Sequence, residues 1–132
     1  VSALVPEPLR EIDVSDEHLA LVRRGMREAV THGTAWLARL PGVAVAGKTG
    51  TAEYPGVDED GNLLLDDDGV LPTHAWFTAF APYKDPEIAL VVFLEGGGEG
   101  SQVAVPVAAD ILGYYFSLPE PSVEPTETTP AD

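Results

Sequence analysis

Hydrophobic residues recur every three to four positions between residues 15 and 32, which is the spacing of one face of an α-helix. Ser15 is suited to cap the N-terminus of this helix, and the two acidic residues that follow it favour the positive end of the helix dipole. The pattern stops near His32-Gly33, and glycine commonly ends a helix. We therefore predict an amphipathic helix with a buried stripe of Leu19, Val22, Met26, Ala29 and Val30.

Three later segments have the alternating or β-branched composition that is typical of strands. They run from Val43 to Ala52, from His74 to Ala81 and from Ile88 to Leu94. A short turn, residues 82–87, separates the last two, so these strands should pair as an antiparallel hairpin. The third segment is apolar at every position, which predicts that both of its faces are covered.

An acidic loop, residues 53–72, separates the first two strands, and its two Asp-Gly pairs favour tight turns and a small hairpin excursion. After the third strand, a glycine-rich stretch leads to a second helix, predicted to be capped by Ser101 and to end at Phe116. This element order predicts the α+β class, with an antiparallel sheet of about three strands and flanking helices. The predicted buried stripe of the second helix is Val103, Val107, Ala108, Ile111, Leu112 and Tyr115.

Composition narrows the classes of function. The 132 residues are enough for one small domain or for part of a larger one. Seven basic and 22 acidic residues give a net charge of −15, which would repel phosphate backbones, so we expect no nucleic-acid partner. The absence of cysteine excludes a thiolate metal site and a cysteine nucleophile. Residues 119–132 are rich in proline, threonine and acid, so we predict a disordered tail after a domain that spans residues 1–118.

One short string, Gly47-Lys48-Thr49-Gly50-Thr51, is the strongest candidate for chemistry. Residues 42–49 satisfy the pattern G-x-x-x-x-G-K-[ST] of a phosphate-binding loop. Such a loop must curl around its anion and open into a helix, whereas residues 43–46 favour extended backbone and the residues after Thr51 do not sustain a helix. A nucleotide-binding fragment is therefore the weaker of two interpretations.

The stronger interpretation keeps this string in a strand that borders an acyl-transfer site. Lys48 would supply a cation beside a substrate carboxylate and favour the deprotonated form of a neighbouring base. Thr49 and Thr51 would offer hydroxyls to that carboxylate, and the Thr51 backbone N–H would help to stabilise a tetrahedral oxyanion. A regular pleat places Lys48 on the opposite face from the two threonines, so we expect Gly50 to permit a local twist.

The Lys-Thr-Gly sequence at 48–50 resembles a signature motif of serine β-lactamases and penicillin-binding proteins. The neighbouring segments make this resemblance more specific, because residues 45–53, 74–82 and 88–94 closely resemble a class B penicillin-binding protein. Within that class, the chain is most similar to the cell-elongation transpeptidases. The helix at 15–32 with the following Gly33-Thr34-Ala35, and the closing segment 101–116, fit the same family.

This resemblance implies a D,D-transpeptidase that cross-links peptidoglycan stem peptides through a serine acyl-enzyme and is acylated by β-lactams. It implies catalytic roles for Lys48 and Thr51, and substrate-binding roles for Lys48, Thr49, Gly50 and Thr51. It implies no metal and no cofactor. Stem peptides and β-lactams are therefore the expected ligands.

The sequence departs from the family at the nucleophile. Ser-x-x-Lys does not occur, because the residues three positions before the two lysines are Val45 and Ala81. Ser-x-Asn does not occur either. We therefore expect the chain to be the C-terminal part of a transpeptidase domain that is inactive alone and requires the remaining N-terminal part as its partner. We expect it at the extracytoplasmic, periplasmic face of the membrane, with the anchor in that missing part.

Simpler interpretations stay open at several positions. Lys48 could be an ordinary exposed lysine, and the fold could serve as a non-catalytic interaction module. Asp58-x-Asp60-x-Asn62 begins like a calcium loop, but Leu63 and Gly69 depart from the EF-hand pattern, which favours a solvated acidic turn. His74 is more readily a hydrogen-bonded structural imidazole than a general base.

Overall fold

The computed structural model describes residues 12–65 and 69–117, and these residues form helices on a three-stranded sheet. The order of elements confirms the predicted α+β class. A short 3₁₀ turn follows the first helix, at the position where a weak helical turn precedes Pro41 and Gly42 in the sequence. The elements are α1 (Asp16–Thr31), the 3₁₀ turn (Trp36–Ala38), β1 (Ala46–Glu53), β2 (Thr73–Ala81), β3 (Ile88–Leu94) and α2 (Ala104–Tyr115).

The sheet has the order β1-β2-β3, and both pairs of strands are antiparallel. The hairpin of β2 and β3 is the one that the sequence predicts. The strand β1 begins three residues later than predicted, because Val43 instead forms an isolated bridge with Leu40 across a tight turn. Gly42 has a φ of +76° in that turn, a conformation that favours glycine.

One face of the sheet carries the core. The strand β2 alternates so that Ala75, Phe77 and Ala79 point into the core with Val92 of β3. Phe77 is fully buried, and its ring covers Gly47, where a Cβ would overlap the ring. The core is completed by one face of α2 and by residues at and after the end of α1, namely Val30, Ala35, Ala38, Val45, Ala104, Val105, Ala108 and Leu112.

The opposite face of the sheet is apolar but exposed within the part of the chain that the structure describes. Trp76, Val91 and Phe93 are 39%, 63% and 45% exposed, and the rings of Trp76 and Phe93 lie 4.4 Å apart. The described residues therefore cover only one of the two faces of β3 that we predicted to be covered. We call Trp76, Val91 and Phe93 the aromatic face.

The helix α1 has the predicted bounds. The Ser15 hydroxyl accepts a hydrogen bond from the backbone N–H of His18, and the helix ends at Thr31 with His32 as its C-cap. The Arg27 side chain donates to the carbonyl oxygen of Val45 at 2.7 Å, which joins the helix to the segment that leads into β1. No helix among residues 12–65 and 69–117 is both long enough and apolar enough to span a bilayer.

The predicted stripe of α1 is covered only at its C-terminal end. Val30 is buried and Met26 and Ala29 are half-buried, whereas Leu19 and Val22 are 49% and 60% exposed. The described residues therefore leave the N-terminal half of this stripe facing outward.

The helix α2 begins at Ala104, so the prediction that Ser101 caps it is wrong. The Ser101 hydroxyl instead donates to the carboxylate of Glu99 at 3.1 Å, and Val103 occupies the cap position without a side-chain cap. This later start places Pro106 in the first helical turn, where its missing N–H has no intrahelical partner to lose.

The predicted buried stripe of α2 is also wrong in part. Ala108 and Leu112 are buried as predicted, but Ala104 and Val105 complete the buried face. The helix is apolar on most sides, so periodicity alone could not select the face that contacts the sheet. The predicted members that are exposed are Val103, Val107, Ile111 and Tyr115.

The acidic loop contains the predicted hairpin excursion at its first Asp-Gly pair. Val57 bridges Leu63, and the Asp58 carboxylate accepts hydrogen bonds from the backbone N–H groups of Asp60 and Asn62 at 3.0 and 2.8 Å. The side-chain amide of Asn62 donates to the same carboxylate at 3.1 Å, and this bond, followed by the backbone bonds, holds the pKa of Asp58 below its ordinary value. Asp68 of the second pair and the predicted tail at 119–132 lie outside the described residues.

Candidate functional site

The Lys-Thr-Gly string lies in the middle of β1, an edge strand of the described sheet. Lys48 pairs with Thr78 and Thr51 pairs with Ala75, and the antiparallel ladder continues to Glu53. A phosphate-binding loop needs a helix that begins at the Lys-Thr pair, with its N–H groups aimed at the anion. Because extended backbone continues through Lys48, the phosphate-loop interpretation of residues 42–49 is wrong.

The Lys48 side chain is exposed and folds back along the edge of its own strand. Its ammonium donates to the carbonyl oxygen of Thr49 at 2.6 Å. The only ion pair within residues 12–65 and 69–117 joins Arg24 and Glu28, so Lys48 is not neutralised by a described carboxylate. An ammonium has three donors, and the bond to Thr49 uses one of them. The remaining donors can therefore serve an anion at this edge.

Gly50 lies inside the regular ladder between β1 and β2. It pairs regularly with Trp76 and has ordinary extended backbone. A Cβ at Gly50 would lie 3.2 Å from the Cβ of Trp76, so the absence of a side chain permits close packing of the two strands.

Thr49 is held by a hydroxyl from another part of the chain. Its Oγ1 lies 2.9 Å from the Oγ1 of Thr34, which follows α1, so one hydroxyl donates to the other. Sequence reasoning did not assign a role to Thr34. Its only signal was its place in Gly33-Thr34-Ala35, a string that fits the family but does not point to Thr49.

Thr51 is exposed, and its hydroxyl has a backbone partner. The N–H of Gly100 donates to the Oγ1 of Thr51 at 3.3 Å. A hydroxyl that accepts in this way keeps its own hydrogen for another acceptor. Gly100 lies against the carbonyl oxygens of Gly50 and Trp76, where any Cβ would overlap them. Nothing in the sequence pattern connected Gly100 with Thr51.

His74 is a structural imidazole, as the sequence indicated. Its Nδ1 accepts a hydrogen bond from the N–H of Gly96 at 3.1 Å. The ring is stacked on Tyr54, with centroids 4.0 Å apart and an interplanar angle of 3°. Phe93 contacts the ring edge-on at 5.2 Å. These contacts fix the orientation of the imidazole ring.

The edge of β1 thus presents one ammonium and two hydroxyls, those of Lys48, Thr49 and Thr51. Such a set suits a carboxylate, because charge-assisted hydrogen bonds to an anion are the strong ones. No group of three His, Asp or Glu side chains within the described ranges is arranged to hold a metal ion.

The family model described as the penicillin-binding protein transpeptidase domain matches residues 3–113. The chain is 36% identical over 127 residues to the peptidoglycan D,D-transpeptidase MrdA of Haemophilus influenzae, covering 89% of the chain and 19% of that protein. It is 34% identical over 112 residues to the peptidoglycan D,D-transpeptidase PbpA of Mycolicibacterium smegmatis, covering 81% of the chain and 20% of that protein. The chain thus spans about a fifth of the length of these curated relatives.

Solved structures show the same arrangement of elements. The D,D-transpeptidase domain of a peptidoglycan glycosyltransferase from Eggerthella lenta aligns with a TM-score of 0.63 and 28% identity, over 87% of this chain and 24% of that one. The penicillin G acyl-enzyme complex of penicillin-binding protein A from M. tuberculosis aligns with a TM-score of 0.58 and 31% identity, over 87% and 24%.

Proposed function

The chain belongs to the penicillin-binding protein transpeptidase domain family, and we propose that the β1 edge is the part of an acyl-transfer site that holds the substrate carboxylate. The chain is part of a transpeptidase domain, and the proposed reaction is the D,D-transpeptidation of peptidoglycan stem peptides through a serine acyl-enzyme. β-Lactams are the proposed competing ligands, since the related penicillin-binding protein A was solved as a penicillin G acyl-enzyme complex.

The observation that carries this proposal is the joint presence of an unneutralised ammonium and two oriented hydroxyls on an exposed strand edge. Lys48 attracts the carboxylate and favours the deprotonated form of a neighbouring catalytic base. Thr49 and Thr51 donate hydroxyl hydrogens to the carboxylate. Gly50 allows the substrate backbone to approach the strand, and the Thr51 N–H contributes to stabilising the tetrahedral oxyanion.

The serine nucleophile and its lysine come from the remaining N-terminal part of the transpeptidase domain, which is the proposed partner of residues 1–118. The aromatic face and the exposed half of the α1 stripe support this proposal, because large apolar patches usually contact another protein surface. Peptidoglycan is cross-linked outside the cytoplasmic membrane, so we place the site at the extracytoplasmic face.

Labelling with a fluorescent penicillin tests the proposal. In the full-length protein that carries this sequence, Lys48→Ala should slow labelling about tenfold to hundredfold, the effect of losing a hydrogen bond to a charged group. Lys84→Ala is the matched control, because Lys84 is also exposed but lies in the β2–β3 turn. The isolated 132-residue chain should not be labelled.

Three results would contradict this assignment. Equal labelling of the Lys48→Ala variant and the wild type would remove the role of the ammonium. Labelling of the isolated chain would show that the nucleophile lies within it. A full-length wild-type protein that is never labelled would favour a non-catalytic interaction module instead.

A further inference from the structure

The five residues that link β3 to α2, Gly96-Gly-Gly-Glu-Gly100, form what we call the glycine segment. Such a composition usually indicates a flexible linker. In the structure, three alternate backbone N–H groups of the segment have defined acceptors on β1 and β2. Gly96 donates to the Nδ1 of His74 at 3.1 Å, Gly98 to the carbonyl oxygen of Thr73 at 3.0 Å, and Gly100 to the Oγ1 of Thr51 at 3.3 Å.

The glycines are required by this path, because it excludes side chains in two different ways. Gly96 and Gly98 have φ values of +60° and +79°, which other residues rarely adopt. A Cβ at Gly97 would lie 2.7 Å from the Cβ of Leu94, and a Cβ at Gly100 would overlap the carbonyl oxygen of Gly50. The segment therefore lies directly on the sheet.

His74 supplies a side-chain acceptor at the start of this segment, whereas the acceptor for Gly98 is backbone. Its ring is fixed between Tyr54 and Phe93, so the Nδ1 acceptor has a defined position. A backbone N–H can donate to Nδ1 only while that nitrogen carries no proton. Four residues later, the same segment delivers the N–H of Gly100 to Thr51.

We propose that His74 is a positioning residue for the Thr51 hydroxyl, acting through the glycine segment. With Gly96 bound to His74, the Gly100 N–H occupies a lone pair of the Thr51 oxygen, and the hydroxyl hydrogen points to the ligand carboxylate. Without that bond, the segment moves away and the Thr51 hydroxyl rotates among its staggered positions. This inference rests on the proposed function, because it assigns Thr51 a ligand.

The test uses the rate of acylation of the full-length protein by penicillin G and by its methyl ester, which lacks the carboxylate charge. His74→Phe keeps an aromatic ring between Tyr54 and Phe93 but removes the acceptor. We expect it to lower the acylation efficiency with penicillin G about 2- to 12-fold, the effect of one hydrogen bond, through weaker initial binding. His74→Asn places an acceptor oxygen near the Nδ1 position and should recover at least half of the wild-type efficiency.

A double-mutant cycle connects the effect to Thr51. In a Thr51→Val background, His74→Phe should cause no further loss, and each substitution should lower acylation by the methyl ester less than acylation by penicillin G, because the ester lacks the carboxylate charge. His18→Phe is the matched control, because His18 is an exposed histidine of α1 and lies far in sequence from both the glycine segment and β1.

The outcomes separate this inference from the proposed function. If the wild-type protein is acylated and the losses from His74→Phe and Thr51→Val multiply, His74 does not act through Thr51 and the inference is overturned. A loss in His74→Asn as large as in His74→Phe, or an equal loss with the methyl ester, has the same meaning. A wild-type protein that penicillin G does not acylate overturns the proposed function, and this inference with it.

Discussion

A single methyl group at Gly100 should disturb both the stability of the sheet and the orientation of Thr51. In Gly100→Ala, the added Cβ would overlap the carbonyl oxygen of Gly50 and lie 2.6 Å from that of Trp76. Both obstacles are backbone atoms of paired strands, so no side-chain rotation can relieve the contact. The whole segment around residue 100 must therefore withdraw from β1 and β2.

The size of this displacement follows from the contact distances. A carbon atom and a carbonyl oxygen need about 3.3 Å, so relieving the Trp76 contact of 2.6 Å requires a shift of at least about 0.7 Å, and the closer contact with the Gly50 oxygen requires more. The bond from the Gly100 N–H to Thr51, 3.3 Å long, would then extend to about 4 Å, which is no longer a hydrogen bond. Overpacking and the lost bond, less the entropy gained from replacing glycine, amount to a net destabilisation of about 1 to 3 kcal/mol.

The measurement compares Gly100→Ala with Gly113→Ala in the full-length protein. Gly113 lies inside α2 and has open space around the position of a Cβ, so alanine there should stabilise the helix by about 1 kcal/mol. Melting temperatures should therefore move in opposite directions for the two variants. Hydrogen exchange of the segment that contains residue 100 should accelerate only in Gly100→Ala. A Gly100→Ala protein that melts at or above the wild-type temperature with unchanged exchange would refute this reasoning.

Two further predictions concern the Thr49 hydroxyl and the acidic turn. Thr34→Val removes the hydroxyl that lies 2.9 Å from the Thr49 hydroxyl, so it should lower the rate of acylation by penicillin G about 2- to 12-fold. Thr34→Ser keeps a hydroxyl at this position and is the control. Equal acylation rates for the two variants would contradict this role of Thr34. Because the folded-state pKa of Asp58 is lowered, its contribution to stability is present at neutral pH and is lost as the pH falls through that pKa, below about pH 4. Asp58→Ala should therefore lower the melting temperature more at pH 7 than at pH 2, and an NMR titration that places the Asp58 pKa above its ordinary value would rule this out.

The features that the sequence predicted correctly depend on neighbouring residues. Ser15 and His32 bound α1 because capping and helix termination involve groups within one turn of the chain. The short connection between β2 and β3 dictates antiparallel pairing for the same reason, since nearby strands joined by a tight turn can pair in no other way. The extended conformation around Lys48 follows from the residues on either side of it.

The helix α2 shows where this local information ends. Its start was predicted from Ser101, a suitable capping residue, but the packing of Gly100 against two strands displaces the first helical turn to Ala104. Its buried face could not be chosen either, because apolar residues surround the helix. Contact with the core, which includes Phe77 and Val92, selected Ala108 and Leu112 and left Ile111 exposed.

By itself, the sequence determined that a lysine and two threonines lie close together along a strand, and its resemblance to a known family indicated what such a strand binds. Only the tertiary structure decided what holds those side chains in place. Thr34 and Gly100 lie 15 and 49 positions away from the threonines they contact, and the chain between them contains β1, β2 and β3. Contacts of that length depend on how the helices and the sheet pack together, which no local pattern of residues encodes.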